Sequence, residues 1–368
     1  MKRRTVKKLT VYLFAGYIAV FSVWNVFAAK RTFSANENRT LAAAPSLSAQ
    51  HIFGGSFDTD FETWFSDQFV GRDSWIELKS AVRKAGGAIE NNSVYFGADD
   101  RLISQFLTCD PRILNQNAEL ISSFCTDNGI QGNVLLVPTA AYGESASLPA
   151  GAYNVDQKAL LDTAQKQLSG QTFLRIDDVL AKGNLYFRTD HHWNEVGAFS
   201  GYEAIARTVL NKEPNSFHFE KASSSFEGTM YSKSGAFWTK PDSIYTILPD
   251  DPYTVQVSYD DGTAADSLYS ESRLQEKDQY AYYEDGNHAY VDIKTSVGNG
   301  RKAVLVKDSY AHILVPYLAS EYSEIIMVDL RYYHSPVSQL LEDKENIDLY
   351  FIYSLDNFCT DTNLAFLR

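Results

Sequence analysis

The longest apolar stretch of the chain lies near its N-terminus. Residues 9–29 contain no charged side chain, and five basic residues precede them, Lys2, Arg3, Arg4, Lys7 and Lys8. At about 1.5 Å per residue this stretch spans roughly 30 Å as a helix, which is enough to cross a bilayer. The basic flank predicts a cytoplasmic N-terminus and an extracytoplasmic remainder. Val26-Phe27-Ala28 loosely resembles a signal-peptidase site, but the apolar stretch is longer than the hydrophobic region of a usual signal peptide. A retained cell-membrane anchor is therefore the preferred interpretation, and a cleaved signal with secretion is the alternative.

Beyond this stretch the chain continues with a polar spacer and an amphipathic pattern. Residues 30–48 are polar and small, which is typical of a spacer. Apolar residues then recur at helical intervals, and structural packing is their simplest interpretation. The members of this pattern are Phe57, Phe61, Trp64, Phe65, Phe69, Trp75, Leu78 and Val82.

From Gly129 onward, short apolar runs alternate with helical patterns. Strands are predicted over residues 133–138, 172–176, 303–306, 325–328 and 347–352, and helices over 156–168, 195–210, 311–320 and 336–341. This alternation predicts a parallel sheet with covering helices, in which reactive groups lie beyond the carboxyl ends of the strands. Between residues 214 and 294 Ser, Tyr, Thr and Asp dominate, so we expect a β-rich or loop-rich insertion there.

These patterns divide the chain into five predicted segments. They are a basic flank with a membrane anchor or signal (1–30), a spacer with an amphipathic helical segment (31–95), the first half of an α/β domain (96–213), the insertion (214–294) and the second half (295–368). The formal net charge of −13 argues against nucleic acid as a partner. The aromatic fraction of 14% suits a carbohydrate-handling surface, although composition alone favours ordinary packing.

The three cysteines do not define a disulfide framework, because an odd number cannot pair completely. Either Cys109 pairs with Cys125 and leaves Cys359 free, or all three remain buried thiols. None lies in a CxxC pair or beside a histidine, so the sequence indicates no cysteine-based chemistry.

Two short motifs carry candidate chemistry. Asp190-His191-His192-Trp193 directly precedes a predicted helix, and Ser309 follows the predicted strand 303–306. A serine becomes a strong nucleophile when a histidine removes its proton and a carboxylate orients that histidine. A strand-to-helix turn also exposes the serine and directs backbone N–H groups towards a developing oxyanion. Ser309 or Asp190 as a helix cap, and a metal site at the Asp-His-His cluster, are the alternatives.

These motifs and several others together resemble the bacterial DHHW protein family. The others are Val306-Lys307-Asp308-Ser309-Tyr310, Asp329-Leu330-Arg331-Tyr332-Tyr333, Gly286-Asn287-His288, Glu37-Asn38-Arg39-Thr40-Leu41 and Asp67-Gln68-Phe69-Val70-Gly71-Arg72. The resemblance extends over about residues 36–355. It departs from the usual Gly-Asp-Ser block at one position, where this chain has Lys307.

DHHW proteins resemble the alginate O-acetyltransferases, whose catalytic domain is SGNH-hydrolase-like. The resemblance therefore implies an α/β fold, a three-layer sandwich with a parallel sheet and a β-rich insertion, preceded by the transmembrane helix. In those enzymes an Asp-x-His-Trp motif precedes a distant serine. That spacing implies Ser309 as nucleophile, His192 rather than His191 as base, and Asp190 as the residue that orients the base.

The resemblance also implies the remaining parts of the site. The oxyanion donors would be the Ser309 backbone N–H and the Asn287 side chain, although Asn287 also suits a turn. Independently of the resemblance, the candidate substrate-binding residues are Arg331, Tyr310, Tyr332, His191 and Trp193. A structural ion pair at Arg331, packing of the tyrosines at strand ends and a structural role of His191 are the alternatives.

The function implied is extracytoplasmic O-acetylation of hydroxyls on an exopolysaccharide or cell-wall glycan through an acyl-serine intermediate. No metal or organic cofactor is implied. Because acetyl-CoA is not available outside the cell, a multispanning membrane-bound O-acyltransferase partner is expected to export the acyl group. A carbohydrate acetyl esterase with the same triad, and a non-catalytic glycan-binding surface protein, are the two alternatives.

Overall fold

The computed structural model describes residues 3–34, 39–342 and 346–367. Glu37 and Asn38 of the N-terminal motif, and Lys2 of the basic flank, lie outside the described residues. The chain divides into two compact units. The first comprises the described residues up to 86 together with 235–237, and the second comprises 87–234 and the described residues from 238 onward.

The first unit is mainly helical. Its helices are α1 (Arg3–Phe27), α2 (Ala49–Phe53), α3 (Phe57–Asp67) and α4 (Arg72–Ala85), and a short antiparallel pair, β1 (Phe33–Ser34) and β2 (Arg39–Thr40), lies between α1 and α2. Within α1, Thr5–Phe27 is long and apolar enough to span a membrane or to serve as a signal sequence. The amphipathic pattern predicted from the sequence forms α3 and α4.

The second unit contains the mixed α/β part of the chain. Its strands are β3 (Glu90–Asn91), β4 (Val94–Phe96), β5 (Leu102–Ser104), β6 (Gly132–Val137), β7 (Thr172–Leu174), β8 (Phe217–Phe226), β9 (Asp242–Pro249), β10 (Val255–Tyr259), β11 (Ala264–Ala265), β12 (Tyr290–Thr295), β13 (Lys302–Lys307), β14 (Glu324–Val328) and β15 (Ile347–Ser354). Its α-helices are α5 (Pro111–Asn128), α6 (Ala140–Gly143), α7 (Gln157–Gln167), α8 (Asp177–Leu180), α9 (Glu195–Thr208), α10 (Thr229–Ser234), α11 (Val315–Leu318) and α12 (Leu355–Phe358).

One large mixed sheet organises this unit. In the described part of the chain its order is β11-β10-β12-β14-β13-β15-β6-β7. The strands from β14 to β7 are parallel, whereas β11, β10 and β12 join the β14 side antiparallel. The prediction of a wholly parallel sheet is therefore wrong at one edge. Strands from the segment predicted as an insertion form that edge, and a short hairpin turn joins β10 to β11.

Both faces of the sheet are covered. On β13, Ala303 and Leu305 enter one apolar cluster, while Val304 and Val306 enter a second cluster on the opposite face. Helix α9 contributes to the first cluster, and α5 and α7 contribute to the second. Because successive side chains of a strand point to opposite faces, an unbroken apolar run such as 303–306 requires this double covering.

The predicted secondary structure agrees closely with the observed elements on the parallel side of the sheet. The predicted strands overlap β6, β7, β13, β14 and β15, and the predicted helices 156–168 and 195–210 overlap α7 and α9. The prediction of one helix over 311–320 is wrong in detail. Residues Ser309–Leu314 form a 3-10 helix, and α11 follows for one turn.

The disulfide joins Cys109 to Cys359, with Cα atoms 5.1 Å apart and 250 residues between them in sequence. The suggested pairing of Cys109 with Cys125 is wrong. Cys125 is a free thiol, buried on α5 among the residues that face the sheet. Burial raises the pKa of its thiol to about 12.

Candidate active site

The Asp-His-His-Trp motif forms a tightly held loop before α9. Tyr186 and Trp193 make an antiparallel bridge, and the Phe187 N–H donates to the His192 carbonyl at 3.1 Å. Asn194 then caps α9, because its side-chain oxygen accepts from the Gly197 N–H at 3.0 Å. The helix cap that the sequence allowed for Asp190 is thus made by Asn194.

The tip of this loop is attached to β9. Asp242 accepts hydrogen bonds from the backbone N–H groups of Arg188 and Thr189, at 2.9 and 2.7 Å, and from the Thr189 hydroxyl at 2.6 Å. These bonds fix the backbone directly before Asp190. No local motif indicates this role, because Asp242 lies 52 positions after Asp190 in sequence.

The Asp190 carboxylate is buried and fully engaged in hydrogen bonds. Oδ1 accepts from the backbone N–H of His192 at 3.0 Å and lies 2.5 Å from His192 Nδ1. Oδ2 accepts from the Thr229 N–H at 2.8 Å and from the Thr229 hydroxyl at 2.6 Å. Although burial opposes ionisation, His191, His192 and these donors hold the pKa of Asp190 well below its usual value.

His192 links Asp190 to Ser309. Its Nε2 atom lies 2.8 Å from the Ser309 hydroxyl oxygen. Burial, reinforced by His191 and opposed by Asp190, lowers the pKa of His192 to about 4. The imidazole is therefore neutral at pH 7, with Nδ1 donating to Asp190 and Nε2 free to accept the serine proton.

Tyr280 covers the other side of this imidazole. Its ring stacks on His192 with centroids 3.8 Å apart and an interplanar angle of 7°, and its hydroxyl donates to the Ser309 carbonyl at 3.0 Å. Tyr280 thus contacts both His192 and Ser309, and it restricts the orientation of the His192 imidazole. It belongs to the segment predicted as an insertion, where the sequence pointed to no site residue other than Asn287.

Ser309 lies directly after β13, at the carboxyl edge of the parallel strands. Asp308 forms the turn, because its Oδ1 accepts from the Tyr310 N–H at 2.9 Å. Its Oδ2 accepts from the backbone and hydroxyl of Ser354 and from the Asn357 amide, at 2.8, 3.0 and 3.1 Å. The Asp308 carboxylate therefore joins the turn that carries Ser309 to the end of β15.

Lys307 occupies a buried position inside β13, where the backbone is extended and requires no glycine. Its ammonium group donates to His312 Nε2 at 3.0 Å and lies 3.5 Å from Asp329 Oδ2. Burial lowers the pKa of Lys307, and the charge of Asp329 opposes that shift. The departure from Gly-Asp-Ser thus leaves the turn intact and adds a buried cation beneath it.

A cavity of about 490 Å³ opens at Ser309. Ser309, His191 and Arg331 line it, and polar side chains supply much of the remaining wall, including Gln105, Thr108 and Asn357. Asp308 and Asp356 add carboxylates to these amide, hydroxyl and guanidinium groups, and such a mixed polar wall suits a ligand rich in hydroxyls.

Arg331 is held against the cavity by Asp329. Its Nε donates to Asp329 Oδ1 at 2.8 Å and its Nη2 donates to Asp329 Oδ2. Nη2 also lies 3.2 Å from the Asn287 side-chain oxygen. Asn287 is not among the described residues that line the Ser309 cavity, and its side chain contacts Arg331. Tyr332 is 53% exposed, and the Arg331 guanidinium lies 5.4 Å from its ring centroid.

The remaining candidates differ in accessibility. His191 lines the cavity, and its ring lies 3.9 Å from that of His192. Tyr310 also lines the cavity, and its hydroxyl donates to the His191 carbonyl. Trp193 is completely buried and donates to the Tyr310 carbonyl at 2.9 Å. The expectation that Trp193 contacts substrate is therefore wrong, because the indole packs beneath the site.

The metal alternative depends on the same cluster. Asp190, His191 and His192 place potential ligand atoms within 4.8 Å of one another. However, both Asp190 oxygens already accept hydrogen bonds, and His192 Nε2 faces the Ser309 hydroxyl. These contacts favour orientation of a base over metal ligation.

Two types of comparison identify related proteins. A family model described as DHHW protein matches residues 173–328. The predicted resemblance to the DHHW protein family is confirmed. A crystal structure of a DHHW family protein from Eubacterium siraeum has a TM-score of 0.64 and 22% identity, covering 76% of this chain and 96% of that one.

The chain is also similar in structure to Bacillus cereus PatB1. Its structure with a sulfonyl adduct has a TM-score of 0.60 and 22% identity, covering 73% of this chain and 97% of that one. Another PatB1 structure has a TM-score of 0.57 and 23% identity, covering 72% and 97%. The chain thus shares the mixed α/β fold of these proteins. No curated protein sequence matches it.

Proposed function

We propose that this chain is an extracytoplasmic O-acyltransferase that transfers acetyl groups to hydroxyls of an exopolysaccharide or cell-wall glycan. The observation that carries the proposal is the continuous hydrogen-bonded series Asp190–His192–Ser309, with separations of 2.5 and 2.8 Å. An ionised carboxylate, a neutral imidazole and a half-buried serine hydroxyl are the components of nucleophilic acyl transfer.

The first half-reaction forms an acyl-serine. Ser309 Oγ attacks the carbonyl carbon of the acyl donor while His192 Nε2 takes its proton. When the tetrahedral intermediate collapses, the bond to the leaving oxygen breaks and His192 returns the proton to it. Asp190 stays ionised throughout and stabilises the transient imidazolium.

The second half-reaction moves the acyl group to the acceptor. His192, neutral again, removes the proton of a sugar hydroxyl as its oxygen attacks the acyl-serine carbonyl. Collapse of this second intermediate releases the Ser309 oxygen, which recovers the proton from His192. With water as the acceptor, the same steps describe an esterase.

Two groups near Ser309 can stabilise the oxyanion of both intermediates. The Ser309 backbone N–H lies at the start of a 3-10 helix, and no described residue supplies an acceptor for it. The guanidinium of Arg331 lines the same cavity and carries a full positive charge. We assign the oxyanion to these two groups, with Asn287 acting through its contact with Arg331.

The substrate class follows from the family resemblance and the polar cavity. Its amide, hydroxyl and guanidinium lining supports a glycan acceptor, and His191 and Tyr310 are available for sugar contacts. The acyl group would come from a membrane-bound O-acyltransferase partner, because acetyl-CoA is absent outside the cell.

The transferase and the esterase differ in the fate of the acetyl group. We would incubate the purified full-length chain with 4-nitrophenyl acetate and a panel of neutral and acidic oligosaccharides, and analyse the sugars by mass spectrometry. We expect acetylated sugar with the wild type and none with Ser309→Ala. Release of acetate without acetylated sugar would identify an esterase. A folded chain that binds glycan but cleaves no ester would identify a binding protein.

A further inference from the structure

The helix α1 and the two helices that follow it show an apolar surface that the proposed chemistry does not use. Along residues 5–20 the side chains of α1 are exposed, and in its last part Phe21 is partly buried and Asn25 is buried. There, Phe21 lies 6.2 Å from the Phe69 ring and 5.7 Å from the Trp75 ring, measured between centroids. Phe69 and Trp75 therefore pack against α1 near its C-terminal end, while residues 5–20 of this apolar helix stay exposed.

Polar contacts fasten this packing. Asn25 is only 5% exposed, although it lies in α1, and its side-chain oxygen accepts from the Val70 N–H at 3.1 Å. Gln68 exchanges two hydrogen bonds with the backbone of Arg31, at 2.9 and 2.8 Å. The Lys30 ammonium lies 5.5 Å from the Trp64 ring centroid. A cleaved signal would not be expected to supply buried, specific partners to the mature chain.

Exposed apolar residues form a surface beside this junction. On α3, Phe61 and Phe65 are 42% and 40% exposed, and they lie four residues apart on one face. On α4, Trp75, Leu78 and Val82 recur at helical spacing and are 37%, 51% and 63% exposed. Soluble surfaces carry scattered apolar residues, but an exposed apolar stripe on each of two successive helices indicates a binding surface. We call these five residues the juxtamembrane surface.

The position of the contacts along α1 indicates what covers this surface. Phe21 lies six residues before Phe27, which corresponds to about 9 Å along a helix. If α1 spans the bilayer, groups that contact Phe21 lie at the level of the acyl chains and headgroups rather than in bulk water. Trp24, Trp64 and Trp75 all lie near this level, where tryptophan is commonly found in membrane proteins.

We propose that α1 is retained as a membrane anchor and that the juxtamembrane surface of α3 and α4 is embedded in the adjoining lipid leaflet. The lipid is the occupant of this surface, because the surface continues from the covered end of the membrane helix. The basic residues at the N-terminal end of the chain predict a cytoplasmic N-terminus, so this surface would lie in the outer leaflet. Apolar helices lying in a membrane surface are stabilised by burial at the headgroup–acyl boundary. This inference does not depend on the catalytic proposal.

Site-directed fluorescence tests the proposal in the full-length protein. Single Phe65→Cys and Val82→Cys variants would be labelled with nitrobenzoxadiazole and reconstituted in phosphatidylcholine vesicles containing doxyl-labelled lipid. The native cysteines should not compete, because Cys109 and Cys359 are disulfide-bonded and Cys125 is buried with a raised pKa. Ser66→Cys is the matched control, since Ser66 is exposed and adjacent to Phe65 but points away from its stripe.

The expected result is strong doxyl quenching and blue-shifted emission at residues 65 and 82, with at least a threefold smaller effect at residue 66. Intact-mass analysis should show that the vesicle-bound protein retains residues 1–30. Quenching at 65 and 82 no greater than at 66 would overturn the lipid assignment. Blue-shifted but unquenched labels would indicate that a protein covers the surface instead. Isolation of a chain cleaved after residue 28 would overturn the anchor.

Discussion

At the residue scale, the proposed chemistry depends on opposite protonation states in adjacent side chains. Asp190 stays ionised because four hydrogen bonds and two histidines compensate for its burial. His192 stays neutral because burial lowers its pKa to about 4. A neutral imidazole next to an ionised carboxylate can accept the Ser309 proton without first losing one of its own.

The lowered pKa of His192 predicts an unusual acid limb. The base works only when neutral, so its activity is lost as the pH falls through about 4 rather than through the ordinary value near 6.5. The rate constant for modification of Ser309 by phenylmethylsulfonyl fluoride should stay nearly constant from pH 8 to pH 5 and fall below that. A half-maximal rate near pH 6.5 would show that His192 is not held neutral by burial.

A substitution of Thr229 tests whether Asp190 orients His192. Its hydroxyl donates to Asp190 Oδ2 at 2.6 Å, and Thr229→Val removes this bond at similar volume. A hydrogen bond to a charged group contributes about 1.5–3 kcal/mol, so we expect kcat to fall by at least about tenfold with little change in KM. Thr229→Ser keeps the hydroxyl and should stay within about threefold of the wild type. All rates would be measured with 4-nitrophenyl acetate. Equal kcat values for Thr229→Val and the wild type would contradict the role of Thr229 in holding Asp190.

At the scale of elements, three segments far apart in sequence hold the catalytic loop. The start of α9 fixes one end through Asn194, Asp242 on β9 fixes the tip, and the turn before α10 approaches Asp190 directly. Gly228 makes this last approach possible. A Cβ atom added there would lie 2.4 Å from Asp190 Cβ, which real structures do not tolerate.

Gly228→Ala should therefore displace Asp190 and inactivate the protein without unfolding it. We expect kcat/KM for 4-nitrophenyl acetate to fall by about 100-fold or more, because small misplacements in a catalytic group cost this much. Gly170→Ala is the matched control, since a Cβ there meets no atom within 4 Å. Circular dichroism would verify that both variants fold. Near-normal activity in Gly228→Ala would show that the turn and Asp190 are not tightly coupled.

The elements that the sequence predicted best are those with strong local signals. The run Ala303-Val304-Leu305-Val306 followed by Asp308 and Ser309 indicated a buried strand and a turn, and both were found. Thr229, Asp242 and Tyr280 carry no local signal, because their roles depend on contacts with residues that lie 29 to 88 positions away in sequence. The antiparallel edge was missed for the same reason, since strand direction is set by the partner strand and the connection rather than by composition.

At the scale of the whole molecule, a single disulfide joins distant parts of the second unit. Cys109 immediately precedes the capped start of α5, and Cys359 immediately follows α12. Asn117 on α5 adds hydrogen bonds to the carbonyls of Phe358 and Asp361, at 2.9 and 2.8 Å. These contacts hold the C-terminal segment next to the end of β15, which carries Ser354 and its bond to Asp308.

Loss of this disulfide should destabilise the second unit. Removing a native disulfide typically costs about 2–5 kcal/mol in the free energy of unfolding. The Cys109→Ala/Cys359→Ala double variant should therefore unfold at a lower urea concentration than the wild type under oxidising conditions. In the presence of a reducing agent the difference should largely disappear. Identical unfolding midpoints under oxidising conditions would show that the bond does not form or does not contribute.

Covalent modification of Ser309 tests the central assignment most directly. The full-length wild type would be treated with phenylmethylsulfonyl fluoride and digested, and the modified peptide identified by mass spectrometry beside the His192→Ala and His191→Ala variants. The account predicts a sulfonyl adduct on Ser309 in the wild type, at least a 100-fold slower reaction in His192→Ala, and only a modest loss in His191→Ala. Equal labelling of Ser309 in His192→Ala and the wild type, or greater dependence on His191, would contradict the proposed Ser309–His192–Asp190 triad.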